Sequence, residues 1–188
     1  MNNDIVSFDD EKLILVDSDD NVLGYKDKNI CHDGDGILHR AFSIFIFNSK
    51  NELLLQKRNP AKRLWGNFWS NTCCSHPRKG ESYETATVRR LQEEIGLITR
   101  MVYLYKFQYQ AGFGAEGSEN ELCSVYIGKT DRQPQINATE ISDWKYISRD
   151  DLNKALEENP ETFTPWFKME WKRLQEEYWN QIVSLNCD

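Results

Sequence analysis

The chain has 188 residues, 39% of them hydrophobic and 28% charged, with a formal net charge of −7. That balance fits one globular domain with a sizeable core and excludes a transmembrane span, because no apolar run approaches the roughly 18 residues a bilayer demands. Broad nucleic-acid binding is excluded too, since it needs a dense basic surface, although a local cluster of Lys and Arg can still hold a small anion.

The opening stretch MNNDIVSFDDEK is acidic and has no apolar core, so it does not read as a signal peptide, and a cytoplasmic protein is expected. Five cysteines, Cys31, Cys73, Cys74, Cys123 and Cys187, are an odd set without a secretory signal, which predicts free thiols. Cys123 alternates with apolar neighbours and reads as buried, and Cys187 as part of a frayed tail.

In chain order, Leu13–Val16 and Val22–Tyr25 flank the turn Asp17–Asn21 and read as a hairpin. The aromatic and β-branched run Leu38–Phe47 turns at Asn48–Asn51 into Glu52–Arg58, a second predicted hairpin, followed by a charged, tryptophan-bearing loop from Pro60 to Trp69. Val88, Leu91 and Ile95 recur at helical spacing, and Gly96 is placed to end that helix. On its wheel Glu94 falls beside the apolar stripe and Glu93 away from it, so Glu94 is expected to face the protein and Glu93 solvent.

Met101–Gln110 and Asn120–Lys129 read as strands separated by a glycine-rich loop from Ala111 to Ser118, and Asp143–Ile147 as a shorter strand. Ser148 can cap a helix reaching Glu158, with Asp150 and Asp151 in its first turn. A last helix starts near Pro165 and carries Trp166, Phe167, Met169, Trp171, Leu174 and Tyr178. Strands outnumber helices and alternate with them irregularly, which predicts an α/β fold with a mixed sheet and helices on its faces.

Chemistry concentrates between Thr72 and Leu97, where Cys74-Ser75-His76 stands just before a helix of paired carboxylates and arginines. The chain has three histidines, His32, His39 and His76, and a Glu119-Asn120-Glu121 triplet whose two carboxylates share one face of a strand. Taken singly, each histidine is better read as a surface or hydrogen-bonded core residue, and a Glu-x-Glu pair is common on exposed strands. Together they would make a five-donor site suited to Mn²⁺, Mg²⁺, Fe²⁺ or Zn²⁺, if three distant segments converge.

Ser75, Glu81, Arg89-Arg90-Leu91, Glu93-Glu94 and Gly96-Leu97 follow the spacing of the Nudix box, with Ser75 in place of its opening Gly and Arg90 in place of the Glu after the Arg. Nudix hydrolases use that missing Glu in their Mg²⁺ site. The same departures, with Cys74-x-His76-Pro77, His32, the His39-Arg40-Ala41-Phe42 run, Glu119-Asn120-Glu121 and Pro165-Trp166, resemble the type I isopentenyl-diphosphate isomerases from about Leu13 to Trp179.

The resemblance implies a Nudix-type α/β/α sandwich with an extra N-terminal hairpin and C-terminal helices. It implies one catalytic domain over residues 1–188, its core at about 37–150 and a helical cover at about 160–183. The implied reaction interconverts isopentenyl and dimethylallyl diphosphates through a tertiary carbocation. By matching position, His32, His39, His76, Glu119 and Glu121 would hold a divalent metal (Mn²⁺, Mg²⁺ or Zn²⁺), and Glu94 a Mg²⁺ that also touches the substrate.

Lys28, Arg58, Lys62 and Arg90 match the diphosphate-binding cations of the family, and without it Arg58 and Lys62 are just a basic loop. Cys74 and Glu121 match its acid–base pair, Tyr109 an assisting tyrosine, and Trp166 an aromatic face for the cation. An aromatic stripe is, by itself, more often packing than catalysis. Cys73, adjacent to Cys74, should point the other way and be structural. A monomer without nucleic-acid or membrane partners is expected. A Nudix hydrolase of another diphosphate and a non-catalytic metal-stabilised binding domain are the alternatives, the latter disfavoured by the lack of CxxC spacing.

Overall fold

The run Leu38–Phe47 is apolar at successive positions because its strand is covered on both faces. In the computed structural model, which describes residues 3–188, β3 (His39–Phe47) is buried along nearly its whole length. Phe45 and Phe47 join one core cluster with the C-terminal helices, and Phe42, Ile44 and Ile46 join another beneath the long central helix. The result is a sheet between two helical layers.

Among the described residues nine strands form one mixed sheet. β1 (Lys12–Val16) and β2 (Val22–Asp27) make the expected hairpin. β4 (Leu53–Arg58), β5 (Trp69–Ser70), β6 (Cys73–Ser75), β7 (Met101–Gly112), β8 (Ser118–Lys129) and β9 (Ile141–Ile147) complete it. β3 and β8 run parallel in unbroken register from His39–Glu121 to Phe47–Lys129. That pairing uses one edge of β3 throughout, so β1, β6 and β4 share the other edge in succession.

The second predicted hairpin is therefore nominal. β3 and β4 pair only at Phe47–Leu53 and then part, β4 continuing along β5 and β9. The glycine-rich loop also shrinks to residues 113–117, because β7 and β8 extend their antiparallel ladder to Gly112–Ser118.

A short helix that sequence periodicity does not signal, α1 (Lys28–Cys31), follows β2. The central helix α2 (Tyr83–Ile95) starts where Ser82 Oγ accepts from Thr85 N and stops at Gly96, whose φ of +69° suits a residue without Cβ. Its buried face is Ala86, Thr87, Arg90, Leu91, Glu94 and Ile95. Val88 is 41% exposed and does not belong to the stripe. One residue is a 100° step on the wheel, and the buried row instead takes Arg90 and Glu94, which neutralise each other.

Ser148 caps α3 (Arg149–Glu158) as expected, accepting from Asp151 N. The last helical run comprises α4 (Pro165–Arg173), a π turn (Leu174–Tyr178) and α5 (Trp179–Ser184), packing Trp166, Phe167, Trp171, Leu174 and Ile182 against the sheet. Cys187 is exposed, yet its tail is docked rather than frayed. Asp188 N donates to Lys129 O at 3.1 Å, and its carboxylate accepts from Thr99 Oγ1 and Arg100 N at 2.9 and 2.8 Å. No described helix is long and apolar enough to cross a membrane.

Candidate active site

Strand register builds the first part of the site. The parallel β3–β8 pairing sets His39 beside Glu121, and the antiparallel β7–β8 pairing sets Tyr109 opposite Glu121. His76 follows β6 directly, and His32 follows α1. Ser118 N donates to His32 O at 3.0 Å, so the β7–β8 loop lies against the His32 backbone. At Gly117 (φ +138°) a Cβ would fall 2.2 Å from the His32 carbonyl, which makes glycine necessary for that approach.

His32, His39, His76, Glu119 and Glu121 converge, all buried, with one potential ligand atom from each lying within 4.8 Å of the others. His32 Nδ1 donates to Lys28 O at 2.6 Å, and His39 Nδ1 to Ile37 O at 2.7 Å. Those bonds turn each Nε2 inward, that of His39 as a lone pair and that of His32 towards Glu119. Against its burial, the charge and hydrogen bond of Glu119 raise the His32 ring above the usual histidine value, so that a metal would displace the His32 proton. His39 Nε2 has no hydrogen-bond partner, and Glu119 Oε2 is met by His32 Nε2 at 2.8 Å. Five buried, inward-facing ligand atoms, one of them an orphaned imidazole nitrogen, fit a divalent cation.

The electrostatics agree. Burial, helped by the neighbouring His32, depresses His39 to about 4, and burial with His39 and His32 holds His76 well below the usual histidine value. Both rings are neutral, as ligands must be. The two carboxyls diverge. Burial opposes ionisation of Glu119, but the charge and hydrogen bond of His32, with His39 and Arg58, together draw the group down to about 2. Burial and the charge of Glu119 push Glu121 well above the carboxylate range. Tyr109 Oη donates to Glu121 Oε2 at 2.5 Å, and His76 Nε2 lies 2.9 Å from Glu121 Oε1.

Cys74 and Trp166 line the same cavity, of about 560 Å³, together with Tyr109, Glu119 and Glu121. Strand alternation separates the adjacent thiols: Cys73 is fully buried in the core under α2, while Cys74 packs on the opposite face. Burial lifts the Cys74 thiol to about 12, against the pull of Arg58, whose Nη1 is 3.6 Å from Sγ. The thiol therefore holds its proton at neutral pH. Trp166 stands edge-on to Trp65 at 5.2 Å, with the Arg58 guanidinium 5.4 Å from its ring.

Asn71, which sequence reasoning does not single out, ties this wall together. Its Oδ1 accepts from Trp166 Nε1 at 3.3 Å, and its Nδ2 donates to Cys73 O at 2.8 Å and Ile44 O at 3.2 Å. One buried amide thus positions both the tryptophan and the cysteine strand.

Lys28, Lys62 and Arg90 lie near one another on the wall of the cavity, and Arg58, which also lines it, stands beside Cys74. Arg58 ends β4 rather than lying in a loop, and it donates to the Trp65 and Leu64 carbonyls at 3.1 and 3.0 Å. Arg90 Nη2 is 2.5 Å from Glu94 Oε1 and 3.5 Å from Glu140 Oε2, and Lys62 pairs with that same Glu140 oxygen. Buried Glu140 is a second residue that sequence reasoning misses, since nothing in its local pattern marks it. Against the cost of burial, Lys62 and Arg90 draw its carboxyl down to about 2. Glu93 is not simply solvent-facing: it accepts from Arg89 and Arg90, each at 3.0 Å.

Glu170, one turn after Trp166 on α4, is buried with no cationic partner among the described residues. Cys123 Sγ lies 3.6 Å from its Oε1, and Oε2 has no hydrogen-bond partner. Burial raises the carboxyl to about 8, despite hydrogen bonds with Ser43 and Cys123. The native state then binds more protons than the unfolded chain between the ordinary value near ~4.3 and about 8, so stability falls as pH rises through that window. Glu170→Gln should melt above the parent at pH 8, with the gap closing towards pH 5; calorimetry showing a constant gap would contradict this.

Residues 37–167 match the NUDIX domain family. The chain is 41% identical over 174 residues to the isopentenyl-diphosphate Delta-isomerase 1 of Photorhabdus laumondii, covering 92% of this chain and 99% of that protein. It is 44% identical over 158 residues to the isopentenyl-diphosphate Delta-isomerase of Serratia proteamaculans, covering 84% and 88%. The fold superposes on the crystal structure of DR0079 from Deinococcus radiodurans with a TM-score of 0.72 at 22% identity, covering 87% of this chain and 98% of that one. The chain belongs to the isopentenyl-diphosphate Delta-isomerase family of NUDIX-domain proteins.

Proposed function

We propose that this protein interconverts isopentenyl diphosphate and dimethylallyl diphosphate, a step of isoprenoid biosynthesis, and that residues 1–188 act as one catalytic unit. In this reading the core at about 37–150 carries the acid–base pair, and the helices at about 160–183 cover it and contribute Trp166. The observation that carries the reading is a single cavity lined by a protonated thiol, a carboxyl held by a tyrosine, a tryptophan and a cluster of cations.

The diphosphate binds Lys28, Arg58, Lys62 and Arg90, where charge-assisted hydrogen bonds are strongest. Glu140 keeps Lys62 and Arg90 together. The hydrocarbon tail then reaches towards Cys74, Glu121, Tyr109 and Trp166. Cys74 and Glu121, the latter assisted by Tyr109, are the acid–base pair: one adds a proton to the terminal alkene carbon, and the other removes one from the carbon next to the oxygenated methylene. The proton count is unchanged over the cycle.

Between these transfers the tertiary carbocation is held under the Trp166 ring, an interaction worth about 2 kcal/mol in a desolvated site. Trp166, itself buried, also excludes water that would capture the cation as an alcohol. His32, His39, His76, Glu119 and Glu121 would hold a divalent metal, Mn²⁺, Mg²⁺ or Zn²⁺, and Glu94 would help hold a Mg²⁺ with the diphosphate. When bound, these ions would supply positive charge that lowers the pKa of Glu121 and offsets the charge of the substrate. The enzyme works as a cytoplasmic monomer on this small-molecule substrate.

The decisive experiment incubates the protein with Mg²⁺ or Mn²⁺ and isopentenyl diphosphate in deuterated water. Deuterium-labelled dimethylallyl diphosphate is the expected product. Release of inorganic phosphate or diphosphate would instead make the protein a hydrolase, and no product at all would favour a binding domain.

A further inference from the structure

The segment before β1 crosses the basic wall of the cavity instead of trailing from the sheet. Asp4 O accepts from Asn137 Nδ2 at 2.8 Å and Thr139 Oγ1 at 3.1 Å, next to Glu140. Val6 O accepts from Arg90 Nη1 at 2.8 Å and Arg78 Nη2 at 3.1 Å. Asp9 O and Glu11 O accept from the backbone of Asn29 and Lys28 at 3.2 and 2.9 Å. The strap is thus stitched to four separate segments, α1, α2, Arg78 and the turn at 137–139, and Ile5, Ser7 and Asp9 line the cavity itself.

Ser7 occupies the critical point. Lys28 Nζ and Arg90 Nη2 each donate to its Oγ at 3.3 Å. Neither an ammonium nor a guanidinium can accept a hydrogen bond in return, so both lone pairs of the hydroxyl serve the cations and its own hydrogen is left over. Every described hydrogen bond at this oxygen is one that it accepts. A cavity-lining hydroxyl between two cations, with an unspent donor, is matched to an anionic oxygen.

We infer that Ser7 is a binding residue for the diphosphate group, donating its hydroxyl hydrogen to a phosphate oxygen while the strap from Asp4 to Glu11 forms one wall of the anion site. The inference rests on the reading of this cavity as a diphosphate site. A neutral donor there adds a hydrogen bond without adding to the repulsion among Lys28, Lys62 and Arg90. The strap also covers Arg90, limiting solvent screening of its charge.

Inorganic diphosphate with Mg²⁺ is the probe, measured by titration calorimetry and as a competitive inhibitor, in the parent, Ser7→Ala and Ser7→Thr. Ser7→Ala should weaken diphosphate binding about tenfold and raise KM for isopentenyl diphosphate similarly, as expected for one hydrogen bond to a charged group. Ser7→Thr should restore both to within about twofold, because it keeps the hydroxyl. The loss falls on KM rather than kcat. Parent-like affinity in Ser7→Ala overturns the assignment, and so does an equal loss in Ser7→Ala and Ser7→Thr, which would make the contact steric. Thermal melting of all three variants separates binding from folding. If the parent binds diphosphate but does not isomerise, the isomerase reading fails while the Ser7 comparison still decides this one.

Discussion

Cys74→Ala should lower kcat for isomerisation by about 10²–10⁴-fold, the range for removing one proton-transfer group, with little change in KM. Burial holds Cys74 as a thiol at about 12, and the cavity places it with Trp166, Tyr109 and Glu121. Its neighbour supplies the control. Cys73 sits opposite Ile44 in the core beneath α2, so Cys73→Ala should cost about 1 kcal/mol of stability through lost packing and leave turnover intact. The deuterium-incorporation assay, run beside thermal melts of both variants, checks this. Equal, high activity in the two would remove Cys74 from the chemistry.

The second large effect concerns the five-donor cluster. Stripping divalent ions with a chelator should abolish turnover and lower the melting temperature, and restoring Mn²⁺ at about 100 times its dissociation constant should raise melting by about 5–10 °C. The physical basis is that His39 Nε2 is buried without a hydrogen-bond partner and the two carboxyls are buried side by side, so a cation satisfies groups that otherwise destabilise the fold. Because burial and Glu119 keep Glu121 protonated in the ion-free cluster, metal uptake should also release a proton, visible as a buffer-dependent heat. His76→Ala should lose the metal-dependent shift while keeping a folded baseline. A shift of full size in that variant would place the ion elsewhere.

Much of the fold is legible in local sequence because its signals are local. Ser82, Gly96 and Ser148 act within one turn of helix, and the apolar run of Leu13–Val16 and the two-sided burial of Leu38–Phe47 follow from side-chain pattern. The misses have a common cause in competition between partners. β3 and β4 look like a hairpin, but β8 takes one edge of β3 and leaves β4 a single pair. Val88 fits an apolar helical stripe only until Arg90 and Glu94 are allowed to neutralise each other inside.

The candidate site divides the same way. Its chemical types, and the Nudix-box departure at Arg90, are present in the residues themselves, and so is the contrast between Glu93 and Glu94, one half-exposed and the other buried. Asn71, Glu140, Glu170 and Ser7 are not marked by any spacing, since each matters through a partner dozens of residues away: Trp166 for Asn71, Arg90 for both Glu140 and Ser7, and Cys123 for Glu170. The sequence by itself determined the family, the layer order and the inventory of thiol, imidazoles, carboxylates and cations. Only the tertiary structure decided which of them meet. Strand register set His39 and Tyr109 against Glu121, alternation turned Cys74 into the cavity and Cys73 out of it, and the strap brought Ser7 to the cations. Convergence of distant segments depends on which edges and faces are already occupied, and that is a property of the whole packed chain.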